Sequence, residues 1–457
     1  MKARLARLVA PLLQSRTLSP RQIVVLLMLI VIAGGTLRAL AAAQPDEKYV
    51  SRDAYAYSLL GESMTRGSYM QAKNSEDLRW PPGAPALFGA AAMITPGSPA
   101  RSDPTDIAAA YWLQAIISTV TLLLVFALAA LLAGPAAGLI ATALVAFYPP
   151  LIAINGSLMS ETLGAFLATV AALTLVAALR ARSWRLMAAT GFAFGLLVLT
   201  RTDFLMAIVV VAFAIVIAAW RQGRGAVLSQ AGAFVVTASL VLVPWTVYAS
   251  NREGRFVPVT TGGGPALFIG TYLPGDGTTV GFKKALAPQL RERFPEYRGT
   301  KTYKIPATAA LKLIAERHPK LRRDDALQRE ARHNLTEYAL GDPIDFSAMM
   351  LSKVQRMWLK YYRGGGVHYI SQPTRGYQAL LVALGLLGLV ALVVRRRLTA
   401  PVAIVFVIVL YSTALHAVVV SQARYNLPLM PMFVAGGVAA LALAFSNRRT
   451  VQQTSSS

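Results

Sequence analysis

Residues 108–132 read AAAYWLQAIISTVTLLLVFALAALL, a run without a single charged side chain. At 1.5 Å per residue, a helix of that length reaches roughly 38 Å, more than the ~30 Å hydrocarbon core of a bilayer. Comparable runs recur along the chain. They fall at Ile23–Ala43, Ala108–Leu132, Ala136–Ala153, Leu158–Leu179, Leu186–Leu199, Phe204–Trp220, Val227–Ser250, Tyr377–Val394, Pro401–Val420 and Tyr425–Phe445. The pattern predicts an all-α integral membrane bundle of about ten transmembrane helices. The first run is longer than a signal-peptide core and reads as a retained helix. Composition agrees: 55% of residues are hydrophobic and 14% charged, with mean hydropathy +0.50, where a soluble domain carries about 25% charged residues. A soluble globular enzyme is excluded.

The charges sort by side. With the first segment, 1–22, placed in the cytoplasm, the inner segments are 1–22, 180–185, 221–226, 395–400 and 446–457. They hold 5, 3, 2, 3 and 2 Lys or Arg and no acid. Basic residues in short loops set orientation, so all 21 acidic residues are expected at or beyond the outer surface. The net charge of +24 therefore reflects topology, and no nucleic-acid partner is expected. The domain 23–445 carries two long outer loops. One is 44–107, expected to hold two interfacial helices. The other is 251–376, with 21 basic and 11 acidic residues and helical stretches near 306–340 and 345–362. Loops of this length inside a compact protein are usually functional. The chain has no cysteine, which removes disulfides, thiolate metal sites and a cysteine nucleophile.

Within the first outer loop, Asp53, Tyr57, Leu60 and Met64 share one helical face. Asp53 reads either as a general base or as a helix-start acid favoured by the dipole. Arg79-Trp80-Pro81-Pro82-Gly83 precedes a second short apolar run, and Trp80 suits a headgroup anchor. Glu161 stands where the fourth span begins. An acid at the edge of a membrane helix points to function, or else to a helix N-terminus. Arg201, with Asp203 two residues on, and Arg424 lie at outer boundaries, against the usual cytoplasmic bias. They suit an anionic partner or snorkelling to headgroups. The four histidines show no zinc-ligand spacing and read as structural. Thr260-Thr261-Gly262-Gly263-Gly264 is a flexible turn or a phosphate approach. Neither a Walker nor a Rossmann signature is present.

These motifs together resemble the GT-C glycosyltransferases that use polyprenyl-phosphate sugars, in the branch containing the lipid A aminoarabinose transferase and the protein O-mannosyltransferases. Asp53-Ala54 with Tyr57 fits the acid and downstream tyrosine of the family's first outer loop. Pro81-Pro82-Gly83 fits the proline motif, Glu161 the acid opening the fourth span, and Arg201 the arginine after the fifth. Val259-Thr260-Thr261-Gly262-Gly263 resembles the loop after the seventh span, and Arg424-Tyr425 with Pro428 the final motif. Asp46-Glu47 repeats the literal acidic pair of the mannosyltransferases and competes with Asp53 for the base. The lysine that precedes the proline motif in the aminoarabinose transferase is absent, and Arg79 stands in its place. The resemblance implies inverting sugar transfer from a polyprenyl-phosphate donor to a glycan, lipid or protein hydroxyl outside the bacterial cytoplasmic membrane. Arg201 and Arg424 would hold the donor phosphate. Glu161, Tyr57 and Arg79 would contact sugar or acceptor, with a divalent metal as an optional partner of Glu161. The rival class is a lipid transporter or flippase, which charges gathered at the outer rim and nearly charge-free spans disfavour.

Overall fold

A computed structural model describes residues 18–45, 52–67, 78–94, 107–360 and 373–446. No strand occurs among them. The helices run α1 (Pro20–Ala43), α2 (Arg52–Thr65), α3 (Gly83–Ile94), α4 (Ala108–Ala133), α5 (Pro135–Ala146), α6 (Pro149–Ala153), α7 (Ser160–Ala181), α8 (Trp184–Thr200), α9 (Ala207–Ala219) and α10 (Arg224–Glu253). There follow α11 (Gly263–Thr271), α12 (Thr279–Ala285), α13 (Ala287–Arg293), α14 (Ala307–Ala315), α15 (Arg323–Gly341), α16 (Pro343–Leu359), α17 (Pro373–Val394), α18 (Ala400–Val418) and α19 (Met430–Phe445).

Among the described residues, seven helices are long and apolar enough to cross a bilayer, and one bent pair makes an eighth. The remaining two expected spans are α8 and α19, 17 and 16 residues long, which fall short of that length. The expectation for Ala136–Ala153 is corrected. It is not one straight span but α5 and α6, bent by 61°.

The bend has a local cause. Pro149 and Pro150 carry no N–H, so the carbonyls four residues earlier, Val145 and Ala146, lose their α-helical donors, and Val145 keeps only a tighter bond from Tyr148 N at 3.3 Å. Arg38 of α1 supplies replacements. Its Nη1 donates to Ala146 O at 2.9 Å and its Nη2 to Val145 O at 3.2 Å. The same guanidinium donates to Gly34 O and Ser118 Oγ. A buried cation without an acid is thereby satisfied by backbone.

Glycines set the closest helix approaches. A Cβ on Gly61 of α2 would lie 2.7 Å from Gly89 N of α3, so the two helices pack backbone to backbone. A Cβ on Gly83 would lie 2.8 Å from Leu199 O, so the start of α3 rests on the end of α8. The segment 268–331 folds around its own core, with Phe268, Phe282, Leu290, Leu311 and Leu327 buried together. Lys353 of α16 ties that unit to the bundle: its Nζ donates to Gly270 O at 2.7 Å and Val418 O at 2.9 Å.

Arg38→Met should leave the buried Ala146 carbonyl short of a donor and Val145 with Tyr148 N alone, at about 1–3 kcal/mol for the orphaned group, and lower the thermal midpoint in detergent. Adding Pro149→Ala and Pro150→Ala restores backbone N–H groups at the matching positions. Partial recovery is expected; a triple variant no more stable than Arg38→Met alone would disprove the account.

Candidate active site

A cleft of about 570 Å³ opens where α2, the 78–82 turn, the starts of α7 and α11, the end of α8, α14, α18 and the 422–425 turn meet. Asp53, Tyr57, Arg79, Glu161, Arg201 and Arg424 all line it. The residues singled out from widely separated motifs therefore share one space. Asp46 and Glu47, the competing acids, lie outside the described residues.

Each side chain is held by its element. Asp53 sits in the first turn of α2. Its Oδ2 accepts from Arg424 Nη2 at 2.5 Å and its Oδ1 from Trp80 Nε1 at 3.4 Å. Trp80, expected from the sequence as a headgroup anchor, thus binds the acid. Glu161 is in the first turn of α7, 1% exposed, with Oε1 at 3.5 Å from both Arg201 Nη1 and Arg424 Nη1. Its Oε2 is buried and has no hydrogen-bond partner among the described residues. A carboxylate oxygen left so is costly unless something fills it.

Arg201 follows the last residue of α8. Its Nε and Nη2 face Asp203 at 3.3 and 3.4 Å, a side-on fork, while Nη1 reaches Glu161 and Ser160 Oγ. Arg424 lies in the 3-10 turn Ala423–Asn426 before α19, and its Nε donates to Gln422 Oε1 at 3.0 Å. Both guanidiniums stand over the Tyr425 ring, 5.6 and 5.7 Å from its centroid. Tyr57 OH is 3.5 Å from Ser160 Oγ. Arg79 lies over Trp80, in a turn joined to the glycine loop by Thr261 N donating to Leu78 O. That loop opens α11, where Asp324 Oδ1 accepts from Gly264 N at 2.9 Å.

Sequence reading gave no site role to Asp203, Tyr411 or His416, which all line the cleft. Asp203 braces Arg201, and its own backbone carbonyl accepts from Tyr411 OH at 2.8 Å. His416, read as structural, lines the cleft with Nε2 3.7 Å from Asp203 Oδ2, and its ring packs on Tyr425. The Arg-x-Asp spacing at 201–203 was the only linear signal; nothing in the sequence points to His416.

The electrostatics follow from burial and pairing. Burial pushes the Asp53 carboxyl up, but the Arg424 charge and hydrogen bond, the Trp80 hydrogen bond and the Arg79 charge together hold it below the usual carboxylate value. Burial pulls the Arg424 guanidinium down, yet Glu161, Tyr425 and Asp53 keep it firmly charged. The Tyr57 hydroxyl is raised by burial and then by Asp53 and Glu161, so it stays a neutral hydrogen-bonding group. No cluster of three or more His, Asp or Glu side chains with metal-ligand geometry occurs among the described residues. Asp53 Oδ2 and Glu161 Oε1 face guanidiniums instead.

Residues 102–248, about a third of the chain, match the family described as dolichyl-phosphate-mannose-protein mannosyltransferase. No curated protein matches the chain. Among solved structures, the archaeal oligosaccharyltransferase AglB from Archaeoglobus fulgidus, in complex with an inhibitory peptide and a dolichol-phosphate, superposes with TM-score 0.53 at 14% identity. The match covers 95% of this chain and 51% of that one. The apo form of the Archaeoglobus fulgidus oligosaccharyltransferase gives 0.52 at 15%, covering 94% and 52%. ArnT from Cupriavidus metallidurans bound to undecaprenyl phosphate gives 0.39 at 16%, covering 95% and 78%, too loose to carry an argument. The chain thus has the GT-C fold that its motifs resemble, and it spans about half the length of the archaeal enzyme.

The Asp53–Arg424 pair makes a pH prediction. Its stabilisation is fully present above the unfolded carboxyl value of about 4 and is lost as pH falls through the depressed folded value. In Arg424→Met burial prevails, the folded carboxyl rises above its unfolded value, and the site destabilises at neutral pH with relief on acidification. Thermal midpoints of wild type and variant should therefore converge as pH is lowered from 7 toward 4. Adding Asp53→Asn to the variant should remove its pH-dependent part; a gap that stays constant with pH would show the pair contributes nothing.

Proposed function

We propose that this protein is a multi-pass membrane glycosyltransferase that moves a sugar from a polyprenyl-phosphate donor to an acceptor hydroxyl, with inversion, on the outer side of the cytoplasmic membrane. One observation carries the reading: an exposed-edge carboxylate and two buried arginines, drawn from three distant segments, meet in one cleft at the rim of a membrane bundle. The fold shared with a dolichol-phosphate-binding oligosaccharyltransferase and the matched dolichyl-phosphate-mannose family support a lipid-phosphate donor. So does location, because nucleotide sugars and ATP are scarce outside a cell.

In this mechanism the acceptor oxygen attacks the anomeric carbon and forms the new C–O bond. The bond from that carbon to the phosphate oxygen breaks, and its electron pair stays on the departing polyprenyl phosphate. Asp53 takes the acceptor's proton. Arg201 and Arg424 neutralise the charge that develops on the leaving phosphate, so it needs no proton to depart. Tyr57 and the free oxygen of Glu161 accept or donate hydrogen bonds to the sugar, and Arg79 closes the cleft beside Trp80. Asp203 fixes the Arg201 guanidinium so that its charge is in place before the bond breaks. The apolar lining from α11 and α14, including Ile269 and Leu311, excludes water that would otherwise compete as acceptor.

Purified protein in lipid, offered a panel of radiolabelled polyprenyl-phosphate sugars and a cell-envelope extract, should transfer label. Asp53→Asn should lower the rate roughly 10²–10⁴-fold, and Arg201→Met roughly 10²–10³-fold, both without loss of the folded bundle. No transfer from any donor by folded wild-type protein would overturn the reading. Transfer unchanged in Asp53→Asn would remove that residue as the base.

A further inference from the structure

We infer that Arg424 keeps Asp53 silent until a lipid phosphate enters the cleft, so that donor binding arms the base. The inference rests on the glycosyl-transfer reading and concerns the order of events within it.

Every nitrogen of Arg424 already faces a protein acceptor. Nε donates to Gln422, Nη1 faces Glu161 at 3.5 Å and the Met159 sulfur at 3.7 Å, and Nη2 is 2.5 Å from Asp53. A phosphate can take this guanidinium only by displacing a partner. Glu161 is 1% exposed, fixed in the first turn of α7 and shared with Arg201. Gln422 is neutral and belongs to the same turn as Arg424. Asp53 is a third exposed to the cleft, and Trp80 holds its other oxygen from the rim. Asp53 is therefore the exchangeable partner.

The exchange matches the chemistry. While both of its oxygens accept hydrogen bonds, the carboxylate is a poor proton acceptor. The groups around it are Arg424 and Tyr425 from the 423–426 turn, Arg79 and Trp80 from the preceding turn, Tyr57 on its own helix, and Glu161 across the cleft. Removing Arg424 removes the largest opposing charge, and burial then raises the basicity of Asp53. A bound phosphodiester begins this withdrawal. As its bond to the sugar breaks, a second negative charge appears on the phosphate and draws Arg424 further. The base thus strengthens as the acceptor's proton becomes acidic. Without donor, the paired Asp53 cannot activate water, which protects the site from idle chemistry.

The test is equilibrium binding of a short-chain polyprenyl methyl phosphodiester, whose single charge stays constant across the working pH range, to the full chain in lipid nanodiscs. Asp53→Asn removes the competitor for Arg424 and should bind this probe roughly tenfold tighter than wild type, a difference of about 1.4 kcal/mol, while losing transfer. Asp203→Asn also removes one negative charge from the cleft lining, but Asp203 braces Arg201, not Arg424, and this variant should bind no tighter. Wild-type affinity should also rise on acidification, by an amount absent in Asp53→Asn. Asp53→Ser serves as a second neutral variant should the first misfold. Equal or weaker binding by the neutral Asp53 variants overturns the latch while leaving transfer intact. Equal tightening in Asp203→Asn overturns it too, since loss of charge alone would then account for the effect. Absence of probe binding in every protein overturns the donor reading and the latch together.

Discussion

A guanidinium or ammonium withdrawn from water must be matched by acceptors in place, and that constraint organises this molecule. Arg38, Lys353, Arg201 and Arg424 are all at least largely buried, but they are matched differently. Arg38 and Lys353 are held chiefly by backbone carbonyls, which cannot move away without unfolding a helix end. They are structural pins: one fixes the bend at Pro149-Pro150, the other ties the segment 268–331 to α18. Arg201 and Arg424 are held by the carboxylates Asp53, Glu161 and Asp203. Both guanidiniums line the cleft, and Asp53, on a separate helix and a third exposed, is a partner that a phosphate can displace.

The pins and the cleft are connected by short covalent distances. Lys353 fixes Val418, and six residues later the chain reaches Arg424. The fork from Asp203 holds Arg201 at the end of α8, where Gly83 lets α3 rest directly on Leu199. The Pro-Pro-Gly motif therefore acts through packing: any side chain at Gly83 would lift the Arg79-Trp80 turn away from Asp53. In the same way, the Gly61–Gly89 crossing brings α3 close to α2 and sets where Asp53 stands.

Much of the site was legible before its geometry was. Arginines at an outer boundary and acids at helix starts violate the usual economy of membrane helices, and such violations are visible in one dimension. Asp53, Glu161, Arg201 and Arg424 were found that way. Arg38 was missed because it lies inside an apolar run, where one charge changes the average little; its partners are carbonyls, which carry no sequence signature. His416 was missed for a related reason, since its neighbour Asp203 is distant in sequence, in the turn between α8 and α9.

The sequence by itself determined that the chain is a helical membrane protein, because hydropathy and charge are sums over neighbouring residues. Where prolines would break a helix was equally local. Which acid meets which arginine was decided only by tertiary structure. Asp53 and Arg424 are 371 positions apart, and their contact depends on how α2, α7 and the turn before α19 pack around glycines and buried cations. Electrostatic pairing acts over a few ångströms of space, and no linear pattern encodes which distant turns will share that space.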